Sequence, residues 1–133
     1  MTDPVRRHIL ILDPERDTGE LFARALEARR DCKCYLAATE EEAVDLLKDI
    51  SFDIVLMDVG TVTKSDFGLL RKVRRSFPAL FILIDAYLHQ RDLVNRALAA
   101  GAHGYIIKPI KIDSFRKKID ELTTSPNRHH CEQ

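Results

Sequence analysis

Residues 52–58 read FDIVLMD, four consecutive apolar side chains from Ile54 to Met57 closed by an aspartate. A half-exposed strand would alternate apolar with polar residues, and an amphipathic helix would leave gaps after every two or three. An unbroken apolar run of this length fits a strand of a parallel sheet covered on both faces. Three more runs have the same character: Ile9 to Leu12, Leu80 to Ile84 and Tyr105 to Ile107. A weaker fifth strand is expected over Cys34 to Ala37.

The segments between these runs carry helical periodicity. Leu21, Phe22, Ala25 and Leu26 share one helical face, as do Ala43, Leu46 and Leu47, and Leu93, Val94, Ala97 and Leu98. The last helix places Ile112, Phe115, Ile119 and Leu122 on one side, follows Pro109 and is expected to be capped by Asp113. A fainter helix is expected from Phe67 to Phe77, ending before Pro78. Capping-box patterns stand at Asp17 with Glu20 and at Thr39 with Glu42, and Gly101 stands where a helix needs a left-handed terminal residue. The order is therefore (βα) repeated five times, an α/β fold with a doubly wound parallel sheet and right-handed crossovers.

Four of the runs end on a charge: Asp13, Asp58, Asp85 and Lys108, the last followed by Pro109. All strand C-termini of a parallel sheet lie on one edge, where ligands bind at the switch point of strand order. Three carboxylates and one lysine are thus expected to converge.

The composition narrows the function classes. With 133 residues and 45% hydrophobic content the chain suits one domain with its own core, expected over residues 1–124, with a loose tail or linker start at 125–133. Lys and Arg number 21 and Asp and Glu also 21, so no net field favours nucleic acid or a membrane surface, and direct binding to either is not expected. No run of apolar residues is long enough to span a bilayer, and Met1 to Arg7 lacks the apolar core of a signal peptide, so the expected address is the cytoplasm. Cys32 and Cys34, two apart on a strand, should face one side. With His129, His130 and Cys131 they match metal-ligand types, but nothing in the sequence brings the tail to that strand, and they are read as ordinary free thiols.

From residue 7 to about 122 the sequence resembles the response-regulator receiver family of two-component systems. The matching elements are ILILDPE (9–15), FDIVLMD (52–58) and AGAHGYIIKP (100–109), with Lys108 standing 50 residues beyond Asp58. The resemblance implies a flavodoxin-like strand order 2-1-3-4-5 and a phosphorelay signalling role without an enzyme activity of its own. Asp58 would be the phosphoacceptor, Lys108 the phosphoryl contact and Tyr105 the aromatic switch. Mg²⁺ would be held by Asp13 and Asp58, and the partner would be a sensor histidine kinase or other signalling protein. Output would pass through the face of the last two helices and the fifth strand. The chemistry suits these residue types: a carboxylate attacks a phosphoryl donor, while a divalent ion and an ammonium neutralise the developing charge.

The sequence departs from the family pattern at two site positions. The second acid of the pair is Pro14, which offers no ligand, leaving Glu15 or Asp85 to substitute. Where the family has Ser or Thr at the end of the fourth strand stands Asp85, whose ionised carboxylate cannot donate a hydrogen bond and repels phosphate. The family's proline four residues past the acceptor is Val62, while Gly60 and Ala86 keep the small size that leaves room for a donor. Two alternatives follow: an interaction module that works without phosphorylation, and an enzyme or cofactor binder on a flavodoxin-like fold. The second would want a phosphate cradle after the first strand, where this chain has the acidic DPERD.

Overall fold

The computed structural model describes residues 7–29 and 31–124, with side chains described as far as Glu121. The expectations for 125–133, including His129, His130 and Cys131, lie outside the described residues, as does the Leu122 side chain. In chain order the elements are β1 (Arg7–Leu12), α1 (Arg16–Glu27), β2 (Cys32–Ala37), α2 (Glu40–Asp49), β3 (Ile54–Asp58), a one-turn α3 (Val59–Val62), α4 (Gly68–Ser76), β4 (Phe81–Tyr87), α5 (Arg91–Ala100), β5 (Gly104–Lys108) and α6 (Ile112–Thr124). The five strands are all parallel and run in the order β2-β1-β3-β4-β5.

The apolar runs of the central strands β1, β3 and β4 are continuous because both faces are covered. The edge strands β2 and β5 keep exposed positions at Lys33, Leu36 and Tyr105, so the run Tyr105 to Ile107 is not covered twice as expected. Leu10, Leu12, Val55, Met57, Ile82 and Ile84 point into a layer with α2, α4 and α5, meeting Leu47, Leu70, Val73 and Val94. Their neighbours Ile9, Ile11, Leu56, Leu83 and Ile106 point the other way, onto Phe22 and Leu26 of α1 and Phe115 and Ile119 of α6. The Phe22 and Phe115 rings stack at 4.6 Å. Burying each such side chain contributes about 1.5–3 kcal/mol, so the two layers carry most of the stability. Arg116 Nε donates to the Ala25 carbonyl at 2.8 Å and Arg29 pairs with Asp120, which ties α6 to α1.

Local signals are realised unevenly. The Thr39–Glu42 capping box is present: Thr39 Oγ1 accepts from the Glu42 N–H at 3.2 Å, and Glu42 Oε1 accepts from Thr39 N–H at 3.3 Å. The Asp17–Glu20 box is not formed. The bend at Pro14 starts α1 at Arg16 with Glu15 as N-cap, leaving Asp17 in the first turn and Glu20 paired with Arg16 at 3.2 Å. Asp113 likewise lies inside the first turn of α6 and does not precede it. Strand β2 begins two residues before the expected Cys34, and β4 runs past Asp85 to Tyr87. The faint fourth helix starts at Gly68 because Asp66 and Phe67 adopt left-handed φ values of 53° and 63°. Phe67 is nonetheless buried, with the Arg96 guanidinium over its ring.

Cys32 is buried, Cys34 packs against the same layer, and burial pushes their thiols up to about 11 and about 12. That environment suits inert thiols. Among the described residues no helix is long and apolar enough to cross a membrane.

At the end of α5, Ala102 N–H returns to the Ala97 carbonyl and Gly101 N–H to Leu98, the paired bonds of a Schellman close. Gly101 has φ 125°, and a Cβ there would meet Arg74 Cγ at 2.8 Å. Gly101→Ala should therefore lower the unfolding free energy by about 1–2 kcal/mol with an unchanged urea slope, read from denaturation midpoints.

Candidate functional site

Alternation along the strands decides which side chains meet at the open edge. Ile11, Leu56, Leu83 and Ile106 all belong to the layer shared with α1 and α6. Two residues on from each, on the same side, come Asp13, Asp58, Asp85 and Lys108. In register, Asp58 stands beside Asp85 and Lys108 beside Tyr87. The four expected residues do converge. Lys108 Nζ lies 2.8 Å from Asp85 Oδ1, 3.3 Å from Asp58 Oδ1 and 3.6 Å from Asp13 Oδ2. The Lys108–Pro109 peptide is cis.

The lysine leans toward Asp85, and both are buried, Asp85 at 0% exposure and Lys108 at 5%. Among the described residues Asp13 Oδ2 and both Asp85 oxygens lack a well-directed hydrogen bond, so the ammonium meets them as a close charge. Three carboxylates against one ammonium leave a formal excess of two negative charges in a dry setting. Burial is the main cause that pushes Asp85 up to about 7, with Lys108 opposing and Asp13 and Asp58 adding to it. Burial likewise raises Asp13, against the Glu15 N–H and the lysine. Burial alone would depress Lys108, but the carboxylates of Asp85, Asp13 and Asp58 outweigh it and hold the ammonium protonated well above its ordinary value.

Asp58 is held from the other side. Its Oδ2 accepts from Thr61 N–H at 3.0 Å and Thr61 Oγ1–H at 2.9 Å, so the carboxylate caps α3. A Cβ at Gly60 would lie 3.3 Å from that same oxygen, so glycine keeps the carboxylate uncrowded. Ala86 is fully buried in the layer with α5, and Val62 is buried there too.

Asp13, Asp58 and Asp85 each offer an oxygen within 4.8 Å of the others, a possible cation-binding group among the described residues. Glu15 is not part of it. Pro14 makes an exposed bend after which Glu15 N–H donates to Asp13 Oδ1 at 2.8 Å, while the Glu15 carboxylate accepts from the Tyr87 hydroxyl at 3.3 Å. Tyr105, on β5, is 36% exposed, with Lys118 Nζ 5.9 Å from its ring centroid.

Sequence reasoning missed Thr61 and Tyr87. Thr61 had a signal, an Asp three residues upstream in the N-cap relation. Tyr87 was hidden because Asp85 reads as a strand terminator, whereas the strand continues and places Tyr87 two positions on, over Lys108.

A sequence model described as the response regulator receiver domain matches residues 9–120. The transcriptional regulatory protein CitT of Bacillus subtilis is 28% identical over 113 residues, covering 84% of this chain and 50% of that protein. MalR, a transcriptional regulatory protein of the same organism, is 24% identical over 115 residues, 86% of this chain and 49% of its own. The chain thus spans about half the length of these relatives. A response regulator from Thermotoga maritima superposes with TM-score 0.81 at 26% identity, over 91% of this chain and all of that one. A two-component response regulator from Clostridium difficile gives TM-score 0.82 at 22% identity over 92% of this chain and 99% of its own, a likeness of fold.

Because the folded state raises Asp85 from 3.8 to about 7, it binds a proton that the unfolded chain has released between those values. Its contribution to stability is complete at low pH and is lost as pH rises through about 7. Measured by denaturation without divalent ions, the parent should lose stability relative to Asp85→Asn between those limits, by at most about 1.4 kcal/mol per pH unit. A difference between the two proteins that is flat with pH would contradict the raised value.

Proposed function

We infer, from the premise that this chain belongs to the response regulator receiver family, that its signalling chemistry is the transfer of a phosphoryl group to Asp58. The observation that carries the reading is the approach of the Lys108 ammonium to Asp58 at 3.3 Å on the C-terminal edge of the sheet. In that reaction an Asp58 carboxylate oxygen attacks phosphorus, a P–O bond forms as the donor's bond to its leaving group breaks, and Lys108 neutralises charge on the phosphoryl oxygens. Thr61 holds the other Asp58 oxygen and orients the carboxylate.

The donors suit Mg²⁺, which takes carboxylate oxygens and keeps several waters. Asp13 Oδ2 is buried without a hydrogen-bond partner, as an oxygen reserved for a cation would be. Asp13 and Asp58 would hold the ion, which supplies positive charge during transfer. Proline at position 14 removes one direct carboxylate, and Lys108 already stands among the three aspartates, so the ion should bind weakly.

Asp85 acts as a brake. It holds the ammonium that the phosphoryl group needs, and in its ionised form, present as pH rises through about 7, its charge repels the incoming anion. Phosphorylation adds about 1.5 to 2 negative charges, which compete with Asp85 for Lys108 and bias the edge toward a second arrangement. The signalling partner would be a sensor histidine kinase or another protein of the pathway, and the output face α5, β5 and α6, where Tyr105 is exposed. Receivers act as signalling modules and not as independent enzymes, and the family match leaves a flavin-type role unsupported.

Incubation with Mg²⁺ and acetyl phosphate should give an intact-mass adduct of about 80 Da that Asp58→Ala abolishes. An unmodified parent under conditions that modify Pro14→Asp/Asp85→Thr would favour the phosphorylation-independent module. The double variant should form the adduct more than tenfold faster than the parent, since ion and lysine act on the same developing charge. A folded double variant no faster than the parent would overturn the brake. Calorimetric titration should give a Mg²⁺ dissociation constant on the order of 1 mM or weaker, tightened by Pro14→Asp.

A further inference from the structure

Strand β4 does not stop at Asp85. Ladder pairing continues to Tyr87, which stands opposite Lys108 in register and lays its ring 4.6 Å from the ammonium. Three contacts hold the ring there. Its hydroxyl donates to Glu15 Oε1 at 3.3 Å, its backbone N–H donates to Gln90 Oε1 at 2.9 Å, and the His89 ring runs parallel to it at 5.9 Å. Glu15 is itself positioned by the Pro14 bend and by its N–H to Asp13 Oδ1. The aromatic face thus closes over an ammonium that carboxylates already surround on its other sides, which accounts for the lysine being 5% exposed at an otherwise open sheet edge.

We propose that Tyr87, tethered by Glu15, is a positioning residue that seats Lys108 against Asp85 and limits the access of an incoming phosphoryl oxygen to the ammonium. A cation over an aromatic face is attracted by the ring quadrupole, most strongly when water is excluded. The seat therefore stabilises the resting arrangement, in which Lys108 faces Asp85. For the phosphoryl group to reach the lysine, the ring must swing away, and the Glu15 hydrogen bond resists that motion. The same tether explains why Glu15 does not supply the carboxylate missing at Pro14: its side chain is engaged by the Tyr87 hydroxyl. The rate effect rests on Asp58 being the acceptor; the seating of Lys108 does not.

Two measurements on the full chain separate these points. In NMR spectra the Lys108 ε-methylene protons should lie upfield of ordinary lysines through the ring current. They should return to the ordinary range in Tyr87→Leu and stay shifted in Tyr87→Phe, which keeps the ring and loses the tether. With Mg²⁺ and acetyl phosphate, Tyr87→Leu should form the Asp58 adduct about 3- to 30-fold faster than the parent. Tyr87→Phe and Glu15→Ala should both fall between the two, and Glu15→Gln, which still accepts the hydroxyl, should match the parent. Methylene shifts identical in the parent and Tyr87→Leu would overturn the seat, and an unchanged adduct rate in Tyr87→Leu would overturn its control of access. Absence of adduct in every variant would instead remove the Asp58 reading, with the methylene shifts still deciding the seat.

Discussion

One ammonium surrounded by three buried carboxylates is the constraint on which this molecule turns. Lys108 Nζ is within 4 Å of Asp13, Asp58 and Asp85, nearest to Asp85. An isolated charge at such depth would be expelled or neutralised, so each of the four is tolerated only because of the others. The double coverage of the sheet creates the dry setting, and parallel strand order brings the four chain ends to one edge. Alternation along each strand then turns all four side chains to the side of α1 and α6.

The pairing is unbalanced. One cation among three acids leaves negative charge uncompensated, and the strain falls on Asp85, the most buried of the three and the one whose carboxyl is pushed up to about 7. A serine or threonine at that position would add no charge and would leave the lysine to divide itself between Asp13 and Asp58. Asp85 therefore changes the resting state of the site more than its single residue suggests. When ionised, it supplies the lysine with an internal anion 2.8 Å away.

The architecture was legible in the sequence because its signals are long and redundant. Ile9 to Leu12, Ile54 to Met57 and Leu80 to Ile84 are doubly covered strands as their unbroken apolar runs imply, while Tyr105 to Ile107 forms the edge strand β5 with one face partly open. The charged residues that follow these runs form the site. What escaped were features set by local competition. The pattern at Asp17 and Glu20 is a good capping box, yet the Pro14 bend and the Asp13 carboxylate start the helix earlier. The short α3 was invisible because VGTV has no helical period and exists through the cap that Asp58 provides. A charge was read as the end of β4, when the ladder continues through Asp85 because Lys108 compensates it; that misreading concealed Tyr87.

The most direct test of this account is the coupling energy between Asp85 and Lys108, set beside that between Asp58 and Lys108. Both come from double-mutant cycles of unfolding free energy with Asp→Asn and Lys108→Met, measured near pH 8, above the value to which Asp85 is raised. The account predicts that the Asp85 coupling exceeds the Asp58 coupling by more than about 1 kcal/mol, as expected of the shorter and more deeply buried contact. Equal couplings, or a stronger one to Asp58, would mean that the lysine is committed to the acceptor and that Asp85 restrains nothing.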